Sequence, residues 1–103
     1  MGTIEIVNKH VTSHGVYIGR PSALGNPYVI GPSCTRAQAI AAYRTWLRVQ
    51  WKVGGEAKEA LVRLARLYKE QQQLTLVCWC TPLACHGDVV AEAIRGIIEK
   101  GLV

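Results

Sequence analysis

Phenylalanine is absent and methionine occurs once, so three Trp and four Tyr supply the aromatic bulk of any core. Acidic residues are few: seven Asp and Glu face twelve Lys and Arg, for a net charge of +5. That balance favours anionic partners such as nucleotides, nucleic acid or acidic proteins. No apolar run approaches bilayer length, so no membrane partner is expected. Met1 to His10 lacks the charged-then-apolar pattern of a secretory signal. The chain is therefore expected to be cytoplasmic, where thiols stay reduced. Repeats, low-complexity tracts and linkers are missing too, which points to a single domain over residues 1–103. Half of the residues are apolar and 18% are charged, a composition that folds.

Ile4 to Val7 alternates like a short strand, and Val16-Tyr17-Ile18 reads as a second. Two Gly, two Pro and one Asn between Gly19 and Pro27 exclude regular structure there. Tyr28-Val29-Ile30 is a third apolar segment, followed by the turn Gly31-Pro32-Ser33. Thr35 and Gln38 have the spacing of a capping box. The helix they open carries Ile40, Tyr43, Leu47 and Trp51 as its buried stripe and stops at Gly54-Gly55. A second helix, about Glu56 to Gln71, buries Ala57, Leu61, Leu64 and Tyr68. Leu74 to Cys78 is the clearest strand, and parallel pairing is expected because helices precede and follow it. Asp88 is placed to cap a last helix that buries Val90, Ile94 and Ile97 and ends near Gly101. The resulting class is α/β: a small single-layer sheet with three main helices, Rossmann-like in general character.

The stretch Cys78-Trp79-Cys80-Thr81-Pro82-Leu83-Ala84-Cys85-His86-Gly87-Asp88 joins that strand to that helix. In α/β proteins such a junction is the usual place for a site. Cys78, Cys80, Cys85 and His86 are enough donors for structural zinc. Their C-x-C-x4-C-H spacing suits a tetrahedral site poorly, so no metal is assigned, and Cys78 reads as a small buried core residue. A helix N-terminus is electropositive, and a thiol or a phosphate is stabilised there. Cys85 as nucleophile, His86 as base and Asp88 as orienter or helix cap are the candidate catalytic groups. Pro82 fixes the loop. Gly87 suits either a positive φ or a close ligand approach.

A second constellation is Gly19-Arg20-Pro21 with Gly25-Asn26-Pro27. Glycine backbone can face an anion, and arginine can grip a phosphate bidentately. The Gly-Lys-Ser/Thr of a Walker loop is missing, and no cofactor is implied. The middle helices carry many basic residues, Arg44, Arg48 and Arg66 among them. Without aromatics interleaved on that face, only weak, non-specific nucleic-acid binding is expected. Trp46 and Trp51 suit either the core or a dimer interface, so a homo-oligomer stays open.

Tyr17-Ile18-Gly19-Arg20-Pro21, Gly25-Asn26-Pro27, Arg36, Tyr43 and Cys78-Trp79-Cys80-x-Pro82-x-x-Cys85-His86-Gly87-Asp88 together resemble an uncharacterised domain-of-unknown-function family of phages, prophages and bacteria. The resemblance runs from about Val7 to Ile98. Leu74-Thr75-Leu76-Val77 replaces the more glycine-containing approach to the strand that the family shows. The resemblance implies site positions rather than a reaction.

The leading expectation is a small-molecule-binding protein for a nucleotide or an ADP-ribose-like phosphorylated ligand. In a phage it would sequester or degrade a host nucleotide signal. The ligand-binding set is Asn8, Tyr17, Gly19, Arg20, Gly25, Asn26, Cys80, Pro82 and Gly87. The loop from Gly19 and the turn at Cys85 to Asp88 are expected to meet as one pocket. Two alternatives stand beside it: a hydrolase or transferase using Cys85, His86 and Asp88 on a nucleotide-like substrate, and a zinc-stabilised nucleic-acid-binding module.

Overall fold

The computed structural model describes residues 2–8, 15–20, 22–28, 31–78 and 86–103. In chain order they form β1 (Thr3–Asn8), β2 (Val16–Tyr17), α1 (Arg36–Val53), α2 (Glu56–Gln71), β3 (Gln73–Cys78) and α3 (His86–Glu99). The strands make an open three-stranded sheet in the order β1-β3-β2, parallel throughout. This is the small α/β, Rossmann-like class expected from the sequence. The parallel pairing follows from connectivity: α1 and α2 provide the long crossover that a parallel neighbour needs between β2 and β3.

Register places Ile4 beside Leu74, Ile6 beside Leu76 and Asn8 beside Cys78, while Val16 pairs with Leu76 and Tyr17 with Val77. Alternation along β3 then sends Leu74, Leu76 and Cys78 to one face. There they join the core with Tyr43 and Leu47 of α1, Leu61 and Leu64 of α2, and Val90 and Ile94 of α3. Cys78 is fully buried, as a small apolar residue in a central strand should be.

The helix ends have local causes. Thr35 Oγ1 accepts from the Gln38 N–H at 3.1 Å, and Gln38 Oε1 accepts from the Thr35 N–H at 2.9 Å, a complete capping box. α1 stops because Gly54 takes φ +78, a left-handed conformation that costs glycine little, while its N–H closes on the Gln50 carbonyl. The stripe on α1 is partly as expected: Tyr43 and Leu47 are buried, whereas Ile40 and Trp51 are half-buried. On α2 all four expected residues are buried, as are the three on α3.

Three local readings are corrected or narrowed. α3 begins at His86, so Asp88 stands inside the first turn rather than at the cap. Its carboxylate still lies where the helix dipole favours negative charge. Gly87 is helical and buried, so it supplies no positive φ. Of the third apolar segment, an optional strand, only Tyr28 lies among the described residues. Its N–H is held by Asn26 Oδ1 at 2.8 Å in a local side-chain turn, which is incompatible with strand geometry at that point.

Candidate functional site

The carboxyl end of the parallel sheet collects most of the described candidate residues. Asn8 closes β1, Tyr17 closes β2 and Cys78 closes β3. From β2 the chain enters a loop built of two overlapping turns. The Ser22 N–H bonds the Gly19 carbonyl at 2.8 Å, and the Gly25 N–H bonds the Ser22 carbonyl at 2.9 Å. Glycine at 25 is required by packing, because a Cβ there would sit 2.9 Å from the Arg20 backbone. The Tyr17 hydroxyl donates to the Arg20 carbonyl at 2.8 Å and closes the turn from the other side.

His86 ties this loop to α3. Its Nε2 lies 2.7 Å from the Ile18 carbonyl oxygen, inside the protein. A carbonyl only accepts, so Nε2 carries the proton and Nδ1 is the basic nitrogen of the neutral ring. The ring meets Tyr43 edge-on, with centroids 5.1 Å apart at 71°. The Tyr43 hydroxyl then donates to the Leu24 carbonyl at 2.7 Å, deep in the fold. His86 and Tyr43 thus pin the loop at Ile18 and at Leu24, on either side of Arg20. Asn26 adds a third anchor, its Nδ2 donating to the Ala39 carbonyl at 3.4 Å. With its Oδ1 on Tyr28, both ends of that amide are engaged within the chain.

Burial pushes the His86 pKa down, the Ile18 carbonyl opposes that, the Arg20 guanidinium lowers it further, and Asp88 raises it. The influence of Arg20 on this ring means that the loop and the first turn of α3 share one electrostatic environment. Arg20 is exposed, and no carboxylate pairs with it among the described residues. Ser22 Oγ is buried and has no hydrogen-bond partner among the described residues. Sequence reasoning passed over Ser22, Tyr43 and the Ile18 carbonyl as parts of a site. A serine inside the glycine-rich loop was the signal available for the first; Tyr43 stood in the resemblance without a role, and the Ile18 carbonyl acts through a contact distant in sequence.

Of the expected site residues, Cys80, Pro82 and Cys85 lie outside the described residues, as does the rest of the segment 79–85. Asn8, Tyr17, Gly19, Arg20, Gly25 and Asn26 are described on one side, and His86, Gly87 and Asp88 on the other. Among the described residues no group of His, Cys, Asp and Glu is arranged to hold a metal.

What these features define is an open parallel α/β domain with a buried histidine linking an arginine-bearing loop to a helix N-terminus. The chain belongs to the family described as Domain of unknown function (DUF4326), whose family model matches residues 6–96. That span takes in both motifs and all the elements between them. No curated protein and no solved structure matches the chain.

Proposed function

We propose that this protein binds a phosphorylated, nucleotide-like small molecule at the carboxyl end of its sheet, between the loop beginning at Gly19 and the first turn of α3. The observation that carries the reading is the His86–Ile18 bond, which holds an exposed arginine, without a carboxylate partner among the described residues, close to a helix N-terminus. Backbone N–H groups at a helix start and a guanidinium both favour phosphate. The position outside the ends of parallel strands is the one where open α/β sheets take ligands. Ser22 Oγ adds a buried hydroxyl in the same loop that still lacks a partner among the described residues. Asn26 and Tyr17 act in this reading by holding the loop, through the bonds described above. Binding then isolates the ligand, and in a phage setting that would withdraw a host nucleotide signal.

The test is titration with inorganic phosphate, pyrophosphate, AMP and ADP-ribose, followed by the imidazole NMR signals of His86. A bound anion near Arg20 raises the His86 pKa and shifts those signals. Arg20→Ala abolishes the response while leaving the unfolding midpoint nearly unchanged, as expected for an exposed residue. Absence of any response at millimolar concentrations of all four compounds refutes the proposal.

A second reading, hydrolysis or group transfer on a similar substrate, draws on one observation: burial keeps His86 neutral. Its free Nδ1 would serve as base, since Nε2 is committed to Ile18. Turnover of ADP-ribose or a nucleotide, lost in His86→Gln, separates this reading from simple binding.

A further inference from the structure

Away from the sheet's carboxyl end, α1 and α3 enclose an open groove of about 350 Å³. Its floor is apolar: Leu47, Leu61, Val89 and Ile97 are buried beneath it, and Trp51, Ala93 and Leu102 are the apolar side chains it leaves partly open to solvent. Its rim is basic: Arg44, Arg48 and Lys52 stand along α1 at intervals of one helical turn, and Lys100 lies at the far end of α3. Among the described residues the carboxylate lining it is Glu92, which is held by the Arg44 guanidinium and also faces the charge of Arg48. One carboxylate against four cations leaves the rim with a positive excess. Gly96 opens the floor, since a Cβ built there meets no atom within 4 Å.

The sequence pattern assigned Trp51 to a buried stripe and the basic residues to a separate solvated face. The structure instead puts Trp51 in the same groove as Arg44, Arg48 and Lys52. One face of that indole already carries Lys58, whose Nζ lies 5.0 Å from the ring centroid. Lys58 thus covers one face against a stacked base, and the apolar floor offers nucleobases no polar partner.

We infer that this groove docks an amphipathic helix of a protein partner, with its apolar ridge on the floor and acidic residues against Arg48, Lys52 and Lys100. Arg44 to Lys52 spans about 12 Å at the helical rise, which accommodates about two turns of a partner helix. An apolar stripe flanked by carboxylates complements both parts of the groove, in the helix-in-groove mode of recognition. Complementary rim charge sets the choice of partner and the rate of encounter.

The experiment uses the full chain and a synthetic peptide of about 18 residues, long enough to hold a helix, with Leu along one stripe and Glu on its flanks. A counterpart carrying Lys in place of Glu is the control. Binding is read by tryptophan fluorescence and by backbone NMR shifts on α1 and α3. The Glu peptide binds and the Lys peptide does not. Gly96→Leu fills the floor and weakens the Glu peptide by at least about tenfold. The exposed pair Arg48→Glu with Lys52→Glu transfers the preference to the Lys peptide, and circular dichroism verifies that each variant is folded. If Gly96→Leu fails to fold, the charge-reversal pair decides alone. The inference is overturned if neither peptide binds at millimolar concentration, or if both bind alike. It is also overturned if a single-stranded oligonucleotide of equal charge binds more tightly, or if the charge-reversal pair abolishes self-association of the chain rather than peptide binding.

Discussion

Replacing His86 by Gln separates the titration of the buried imidazole from its structural bond. His86 is 7% exposed and accepts no solvent shell comparable to that of an unfolded chain. Burial and Arg20 together hold its folded pKa below the ordinary value, against the smaller opposing pulls of the Ile18 carbonyl and Asp88. In the unfolded chain the ring titrates near pH ~6.5. Between the two pKa values the unfolded state binds the extra proton, so stability rises with pH in that window. The His86 contribution is fully present above about pH 6.5 and is lost as pH falls through the folded value. One proton limits the slope to about 1.4 kcal/mol per pH unit. For a chain of 103 residues, that corresponds to a fall in Tm of up to about 5–10 °C per unit. Gln does not titrate, and its amide can still donate to Ile18. The assay is thermal unfolding by circular dichroism from pH 7.5 downward, wild type against His86→Gln, where the difference cancels every titration the two proteins share. The expected result is a flatter profile for His86→Gln. Equal slopes in the two proteins, or a wild type that gains stability on acidification relative to the variant, would refute the reasoning.

Tyr43→Phe removes the hydroxyl that satisfies the buried Leu24 carbonyl, and urea unfolding should report a loss of about 1–3 kcal/mol. The same variant should accelerate hydrogen exchange at the Ser22 and Gly25 amides, since it frees one end of their loop. Arg44→Ala breaks the exposed bridge between α1 and α3, and the cost should stay below about 1 kcal/mol and vanish in high salt.

The fold was legible where short-range chemistry decides it. Thr35 and Gln38 announce a helix start because a capping box needs only residues three apart, and both of its bonds form. Gly54 announces the stop because its conformation is set locally. The apolar positions of α2 lie on one face simply because the helix has 3.6 residues per turn, and Ala57, Leu61, Leu64 and Tyr68 are buried together. Legibility fails one step further out. Tyr28 looks apolar enough for a strand, yet the Asn26 side chain captures its N–H. Trp51 looks like core, yet it stands half-buried along the groove lined by α1 and α3.

The candidate site illustrates the same division at longer range. Two motifs with chemistry-bearing residues were visible as motifs, each by its own glycines, prolines and thiols. What holds their described parts together was not, because the links are a histidine to a carbonyl 68 positions earlier and a tyrosine hydroxyl to a carbonyl 19 positions earlier. Backbone carbonyls carry no sequence signature, so neither acceptor could be read from residue type. The two donors could be: His86 and Tyr43 both belong to the resemblance, and both are aromatic groups with a polar tip, the kind that needs a partner when buried. Tyr43 sits in the middle of α1, where its ring packs on His86 while its hydroxyl reaches Leu24. One side chain therefore couples the helix layer to the loop that carries Arg20. Substitutions on the inner face of α1 should move the loop even though they lie outside both motifs. The motifs supply the residues of the candidate site, and the buried pair Tyr43 and His86 anchors the loop that carries Arg20.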